Sequence, residues 1–182
     1  NNSMTSILGT QSIQHPNGTA SATVLADGTF SSPGHVIQVV QATTSTQVTT
    51  TSTSFVSTGF FATITPKFSS SKILLSYNSA IHNNTGNYLT ITDVYRDPSS
   101  STSEDTAISG GTSLSGGNTY GLTQTYSQTA AIVETVHAQI LDSPSTTSEV
   151  KYVIAYKSIS GGTSYFATNG TLSTLTLMEI AQ

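Results

Sequence analysis

The sequence predicts an all-β protein, an antiparallel β-sandwich of the jelly-roll type, and three observations point to this fold class. About eight or nine short runs rich in Val, Ile, Thr, Tyr and Phe are separated by Gly, Pro, Asn and Ser turn signals. β-Branched and aromatic residues suit a pleated, half-buried surface. No stretch shows an unambiguous helical period, and no repeat of fixed length occurs, so solenoids and propellers are disfavoured.

The apolar content is low for a folded domain. The 182 residues suffice for one sandwich, but only 35% of them are hydrophobic, against the usual ~45–50% with Gly included. Obligate interfaces resemble a core divided between chains. A core this lean therefore predicts contacts between identical subunits.

Charge is also scarce and excludes several classes of partner. Lys and Arg together number five, Asp and Glu nine, and the net charge is −4. Without a basic cluster the chain cannot neutralise a run of phosphates, which argues against nucleic acid, and the same lack argues against anionic membranes. Cysteine is absent, which excludes disulfides and thiol catalysis. The exterior must be built from hydroxyl and amide groups.

The first 34 residues differ in pattern from the rest. Their apolar positions are scattered and are interrupted by Pro16-Asn17-Gly18 and by Asp27-Gly28, which favour turns. We interpret residues 1–34 as an arm or lead-in that orders against other proteins. Residues 35–182 are then the β-sandwich head domain.

The first half of the head contains four predicted strands. Residues 35–42 form a β-branched run, residues 43–58 suit an edge strand or extended connection, and residues 60–65 end at Pro66, which cannot donate to a ladder. Residues 72–81 are the most apolar run and predict a central strand. Residues 83–87 predict a hairpin-type turn, and residues 88–95 alternate with period 2.

The second half is less regular. Residues 99–119 form a long Ser/Gly-rich loop, and such loops are usually functional or mobile. Residues 129–141 fit both a helical stripe and one face of a strand, and the context favours a strand. Residues 150–157 show the clearest half-exposed strand pattern. Asn169-Gly170 is a strong hairpin signal before the last strand, residues 172–180.

Catalytic and metal-binding patterns are missing, so we predict no enzyme, no metal and no cofactor. No Gly-x-Ser-x-Gly elbow occurs, and the four histidines lie in separate segments without a local ligand partner. The acids could form a glycosidase pair only if the fold brought two of them within ~5–9 Å. These candidates are His15, His35, His82 and His137 and the acids Asp93, Asp97, Glu134 and Glu179.

Ligand binding is the remaining chemical role. Tyr120 and Tyr126 follow the long loop, and Asn118 lies within it. Tyr beside Ser, Asn and Gly is typical of adaptable recognition surfaces and of sugar-stacking sites. We name Asn118, Tyr120 and Tyr126 as candidate ligand-binding residues. The alternative is that both tyrosines are core aromatics on a strand after the loop.

The order of several segments over residues 33–182 resembles a domain of virion proteins from tailed phages, notably aquatic ones. Such domains occur at the C-terminal ends of tail-fibre-like proteins and as short free-standing virion proteins, similar in pattern to trimeric jelly-roll heads. The Ser/Gly-rich loop is the part that departs from the pattern. The segments that carry the resemblance are Pro33-Gly34-His35-Val36-Ile37-Gln38-Val39-Val40, Ser54-Phe55-Val56, Ala62-Thr63-Ile64-Thr65-Pro66, Ser70-Ser71-Lys72-Ile73-Leu74, Val94-Tyr95-Arg96-Asp97, Leu141-Asp142-Ser143-Pro144-Ser145-Thr146-Thr147-Ser148, Tyr152-Val153-Ile154-Ala155-Tyr156, Ser160-Gly161-Gly162-Thr163 and Leu175-Thr176-Leu177-Met178-Glu179-Ile180.

The resemblance implies a homotrimeric appendage on the virion surface that touches a host surface glycan, and it brings no catalytic residue. A second hypothesis is a capsid decoration protein that stabilises the shell. In that case residues 1–34 would lie across other virion proteins and order there. A third is a secreted carbohydrate-binding module.

Overall fold

The computed structural model describes residues 12–14, 16–18, 20–26, 28–97, 108–129, 132–160 and 162–182. Within these ranges the regular structure is almost entirely β-strand. The strands are β1 (Ser12–Gln14), β2 (Ala20–Val24), β3 (Phe30–Ser31), β4 (Val36–Thr44), β5 (Val48–Thr50), β6 (Val56–Ile64), β7 (Lys72–Asn83), β8 (Tyr88–Asp97), β9 (Thr112–Ser113), β10 (Thr123–Ser127), β11 (Glu134–Asp142), β12 (Val150–Ser158), β13 (Ser164–Phe166) and β14 (Ser173–Ile180). A single 3-10 turn, Thr168–Gly170, separates β13 from β14.

The eight main strands form two antiparallel sheets. Sheet I has the order β4-β14-β7-β11, with β13 and β5 extending it beside β7. Sheet II has the order β6-β12-β8-β10, with β9 also paired to β8. Numbered along the chain, the main strands run first-eighth-third-sixth in one sheet and second-seventh-fourth-fifth in the other. This order is that of a jelly roll, so the predicted fold class is confirmed.

The core lies between the two sheets and follows from period-2 alternation. On β7, Ile73, Leu75 and Tyr77 point inward, and on β12 Tyr152 and Ile154 face them; all are almost fully buried. Burying one such side chain stabilises the fold by about 1.5–3 kcal/mol relative to leaving it exposed. The apolar alternation of these two strands therefore fixes which side of each sheet faces inward.

Two of the predicted strands are confirmed by the pairing. β7 pairs with β11 on one edge and with β14 and β13 on the other, as expected of a central strand. Residues 134–141 of the ambiguous segment 129–141 belong to β11, so the choice of strand over helix is correct there. Its inward-facing Val136 contributes to the core.

Two predicted hairpins are wrong. The turn after Asn83 carries the chain from β7 in sheet I to β8 in sheet II, because the Asn83 side chain is buried and bonds Ser158 and Ser164 in the interior. Asn169-Gly170 lies in the 3-10 turn between two strands that both pair with the same edge of β7. The chain therefore kinks and continues there instead of reversing.

The prediction of a half-exposed strand at residues 150–157 is also wrong, since every residue of β12 is buried. The outer face of sheet II is covered by residues 51–55 and by the chain between β9 and β10. Lys151 and Lys157 point outward on β12, yet Phe61 and Phe55 lie against their ammonium groups. Lysine side chains can bury their aliphatic stems on apolar surface. In the sequence they still look like the exposed residues of an alternating strand.

Two polar ties join the ends of the sandwich. Arg96 on β8 binds both carboxylate oxygens of Asp142 on β11, at 2.7 and 2.8 Å, and the Tyr152 hydroxyl donates to the same carboxylate. The buried Glu179 accepts from the backbone N–H groups of residues 67 and 68 and from the Gln38 amide. Both acids therefore serve the structure.

The described part of the predicted arm forms a small antiparallel sheet of its own, β1-β2-β3. It is joined to the head where Gly34 N–H donates to Ala181 O at 2.8 Å and Ala181 N–H donates to His35 O at 2.9 Å. Its binding to other proteins stays a prediction. Within the described ranges the structure contains no helix with the length and apolar character that a membrane span requires.

Candidate functional site

A pocket of about 380 Å³ opens on the outer face of sheet II. Its walls come from three parts of the chain that are distant in sequence: residues 53–55 before β6, residues 108 and 117–119 within the Ser/Gly-rich loop, and side chains of β8 and β12. The lining residues are Thr53, Ser54, Phe55, Tyr95, Ile108, Gly117, Asn118, Thr119 and Lys157. Aromatic rings, hydroxyl groups, one amide and one ammonium therefore face the same space.

The first wall is held in place by Ser52. Its carbonyl accepts from Ser158 N–H at 2.8 Å, which anchors the segment to the end of β12. Its hydroxyl donates to Ser54 O and accepts from Ser54 N–H. Short hydroxyl-to-backbone bonds of this kind favour turns over strands. The turn places Phe55 beside Lys157.

The second wall is an excursion between β9 and β10. The chain leaves the edge of β8 at Leu114, whose N–H donates to Val94 O, and returns at Leu122, whose N–H donates to Thr92 O. Between these points the Asn118 side chain accepts from Tyr120 N–H at 2.9 Å, which closes an Asx turn. Gly121 has φ +56, and a Cβ there would lie 2.2 Å from Thr92 O. Only glycine fits this close return.

Asp93 lies beneath the excursion and is fully buried. Ser113 and Ser115 each donate a hydroxyl to its Oδ2 at 2.7 Å, and Val94 N–H donates to its Oδ1 at 2.8 Å. These bonds satisfy the carboxylate and close it off from the pocket. Asp93 thus holds the excursion on the sheet and does not line the cavity.

Lys157 forms the floor. Its Nζ lies 4.5 Å from the centre of the Phe55 ring, and the Phe55 and Tyr95 rings meet edge to face at 5.9 Å. Burial lowers the pKa of Lys157, partly offset by the negative charge of Asp93. Burial, with a smaller contribution from Asp93, raises the pKa of Tyr95. The site therefore combines a desolvated cation with two aromatic faces.

The three predicted ligand-binding residues lie in different places. Asn118 lines the pocket, and Tyr120 is 53% exposed on the same excursion without lining it. Tyr126 is 47% exposed on β10 and donates to Asn87 Oδ1 at 3.0 Å. It pairs with Leu89, ~20 Å along β8 from Tyr95. The alternative that both tyrosines are core aromatics is wrong.

Sequence reasoning missed most of the pocket. Phe55, Tyr95 and Lys157 were not singled out, because each stands in a segment that reads as ordinary strand or connection. Two weak signals were available: Phe55 is a lone aromatic in a Ser/Thr tract, and Lys157 occupies an apolar strand. Neither signal reveals that the two residues meet.

The candidate acids and histidines do not converge in the described part of the chain. Asp93 and Asp97 share a face of β8 but are four residues apart, ~13 Å in a strand, beyond the spacing of glycosidase pairs. Glu134 accepts from Thr125, and His82 stacks on Tyr165 with ring centres 4.1 Å apart. Among the described residues no three His, Asp or Glu side chains gather as metal ligands. His15 lies outside the described residues.

No protein-family model matches the chain, and no curated protein sequence matches it either. Similar solved structures include the infectious bursal disease virus Gx strain, at 13% identity over 80% of this chain and 37% of that one, with a TM-score of 0.38. The Gt strain gives 11% identity over 90% of this chain and 47% of that one, with a TM-score of 0.41. The chain spans less than half the length of either. Likeness at this level carries no argument about function, and the jelly-roll assignment rests on the strand order.

Proposed function

We propose that this chain is a non-enzymatic structural domain of a tailed-phage particle, a trimeric head of a fibre-like appendage on the virion surface that attaches to host glycan. The observation that carries the attachment role is the sheet II pocket, where Phe55 and Tyr95 face hydroxyl and amide groups. Sugars bind to such sites by stacking on rings and by hydrogen bonding. The segment order that resembles tail-fibre heads supports the placement on a phage.

The trimer is proposed to form through the outer face of sheet I. Register places Leu141, Leu74, Met178 and Val39 in one continuous row across four strands. Val39 is 58% and Leu141 49% exposed. The next two rows are polar and lack Lys, Arg, Asp and Glu: Gln139, Ser76, Thr176 and Gln41, then His137, Asn78, Thr174 and Thr43.

A second copy of the chain is the partner that suits this face. These three rows contain no Lys, Arg, Asp or Glu side chain, so they meet their own copy without like-charge repulsion. Lys72 lies in the next row, beside Ile180 and Val36, at the rim of the face. Four strands over the five residues that these rows span cover roughly 320 Å² in projection, about two fifths of the ~800 Å² that each partner usually contributes to a stable interface. Contact between subunits would bury the exposed apolar side chains of this row.

Attachment is tested by glycan binding. We expect the purified chain to bind oligosaccharides of the host surface, and Phe55→Ala to weaken binding at least about fivefold, since stacking on one ring is worth ~1 kcal/mol or more. The matched control is Phe61→Ala, which removes an exposed ring from the same sheet face outside the pocket. Equal loss in both variants would argue against the pocket. Incubation with polysaccharide should release no sugar.

Capsid decoration is the second candidate, favoured by the separate sheet β1-β2-β3. A 210 Å³ gap lies between this sheet and the head, lined by hydroxyl side chains together with Ala22, Pro33, Phe68 and Gln182. Particle imaging separates the two candidates. Density at the tip of a tail appendage favours attachment, and density at symmetry axes of the shell favours decoration.

A further inference from the structure

The Lys157 ammonium is the unusual group of the sheet II pocket. The residue is only 8% exposed, yet its Nζ has no hydrogen-bond acceptor and no ion pair among the described residues. Its close contact is the Phe55 ring, 4.5 Å away. A buried charge is costly unless a counter-ion or hydrogen bonds compensate it. The Lys157 Nζ is not among the fully buried polar atoms that lack a partner. It opens to the pocket, where a ligand can reach it.

Asp93 does not fill that role. Three donors occupy its two oxygens, and Ser113 and Ser115 stand between its Oδ2 and solvent. It acts on Lys157 only through space and partly offsets the effect of burial on the pKa of the ammonium. The Lys157 ammonium itself still faces the pocket.

The remaining walls suit a sugar that carries one negative charge. Phe55 and Tyr95 offer ring surface, and Thr119, Ser54 and Asn118 offer hydroxyl and amide groups. The Asn118 Oδ1 is engaged by Tyr120 N–H, and no described residue accepts a bond from its Nδ2. Lys157 supplies one positive charge, which matches a carboxylate more closely than a phosphate monoester, since the phosphate carries roughly −1.5 to −2. The lining contains no arginine.

We propose that the pocket recognises a carboxylated sugar, a uronic or sialic acid type of unit, whose carboxylate pairs with Lys157 Nζ while its ring packs against Phe55 and Tyr95. This inference rests on the proposed glycan attachment and specifies which glycans the site accepts. The carboxylate supplies the counter-ion that Lys157 lacks. Neutral sugars leave the ammonium uncompensated and bind more weakly.

The experiment compares three probes by calorimetry: a uronic-acid oligosaccharide, the same oligosaccharide with its carboxyl group reduced to the alcohol, and acetate alone. We expect the acidic oligosaccharide to bind about tenfold more tightly than the reduced one, a difference of ~1.4 kcal/mol, because only the acidic one pairs a negative charge with Lys157. The difference should shrink as salt is raised. Acetate alone should bind far more weakly than the oligosaccharide, because it lacks the ring.

The variant Lys157→Met should erase the preference for the acidic oligosaccharide over the reduced one. Lys151→Met is the matched control, because Lys151 is 7% exposed on the same face of β12 and its Nζ lies 4.9 Å from the centre of the Phe61 ring, outside the pocket. The control should keep the preference. If Lys157→Met fails to fold, the salt dependence of the unaltered chain decides.

The outcomes separate this inference from the proposed function. Equal or tighter binding of the reduced oligosaccharide overturns the carboxylate assignment and keeps glycan attachment. Acetate binding as tight as the oligosaccharide also overturns it, by showing an anion site without sugar recognition. Failure of every acidic and neutral oligosaccharide to bind overturns the attachment function itself.

Discussion

Tyr77 places a hydroxyl group inside the apolar core, where it is almost completely buried. The hydroxyl is bonded to Thr92 and, at 3.0 Å, to Thr123 of the opposite sheet. The two threonine hydroxyls also bond to each other. This group therefore links sheet I to sheet II through the interior, and a buried network is costly to leave half satisfied.

Tyr77→Phe should lower the free energy of unfolding by ~1 kcal/mol, measured by denaturant titration. The ring stays in place and the two threonines keep their mutual bond, so the loss is that of one net hydrogen bond. Tyr126→Phe is the control, because that hydroxyl is exposed and its loss should change stability by less than ~0.5 kcal/mol. A larger loss in the control would contradict the assignment.

Alkaline pH should destabilise the fold through its buried tyrosines. Burial raises the pKa of both Tyr77 and Tyr156 to about 12, above the ~10 of an unfolded chain. Because the folded pKa is the higher one, the stabilisation is complete below pH ~10 and is lost as the pH rises toward ~12. Thermal melts across this range should show a falling Tm together with tyrosinate absorbance. A constant Tm up to pH 12 would contradict the burial.

The excursion between β9 and β10 depends on its return at Gly121. A methyl group there would meet the Thr92 carbonyl at 2.2 Å, and the positive φ adds strain. Gly121→Ala should therefore destabilise the fold by ~1–3 kcal/mol and reduce binding at the pocket, since Asn118 and Thr119 shift with the loop. Gly110→Ala is the control, as nothing lies within 4 Å of its added Cβ. Equal melting temperatures for both variants would contradict this account.

Alternation along the chain was enough to predict where most strands lie, because period-2 burial is a local property. It placed β4, β7, β8 and β14 within a few residues of their bounds. The sheet to which a strand belongs is not a local property. Residues 83–87 therefore looked like a hairpin turn, although the chain crosses there from sheet I to sheet II and the Asn83 side chain lies in the interior. The hairpin prediction at Asn169-Gly170 failed for a related reason. The strands on either side, β13 and β14, both pair antiparallel with β7, so the chain keeps its direction.

The same limit explains the candidate site. Asn118 could be named from its Ser/Gly-rich loop, because loop composition is visible in the sequence. Phe55, Tyr95 and Lys157 come from three strands or connections whose meeting depends on the order β6-β12-β8 within sheet II. That order is set by long-range packing, which alternation does not encode. The pocket is therefore a property of the whole molecule.

At the scale of the whole molecule, the proposed self-association depends on the exposed apolar row of the outer face of sheet I. Val39→Lys should place a cation in the exposed apolar row, opposite the same cation of a neighbouring copy, and both desolvation and like-charge repulsion oppose that contact. We expect light scattering to give the mass of a trimer for the unaltered chain at micromolar concentration and that of a monomer for Val39→Lys. Tyr120→Lys, at similar exposure on the opposite side of the sandwich, should remain trimeric. A stable monomer of the unaltered chain would refute self-association, and a trimer in the Val39 variant would assign it to another surface.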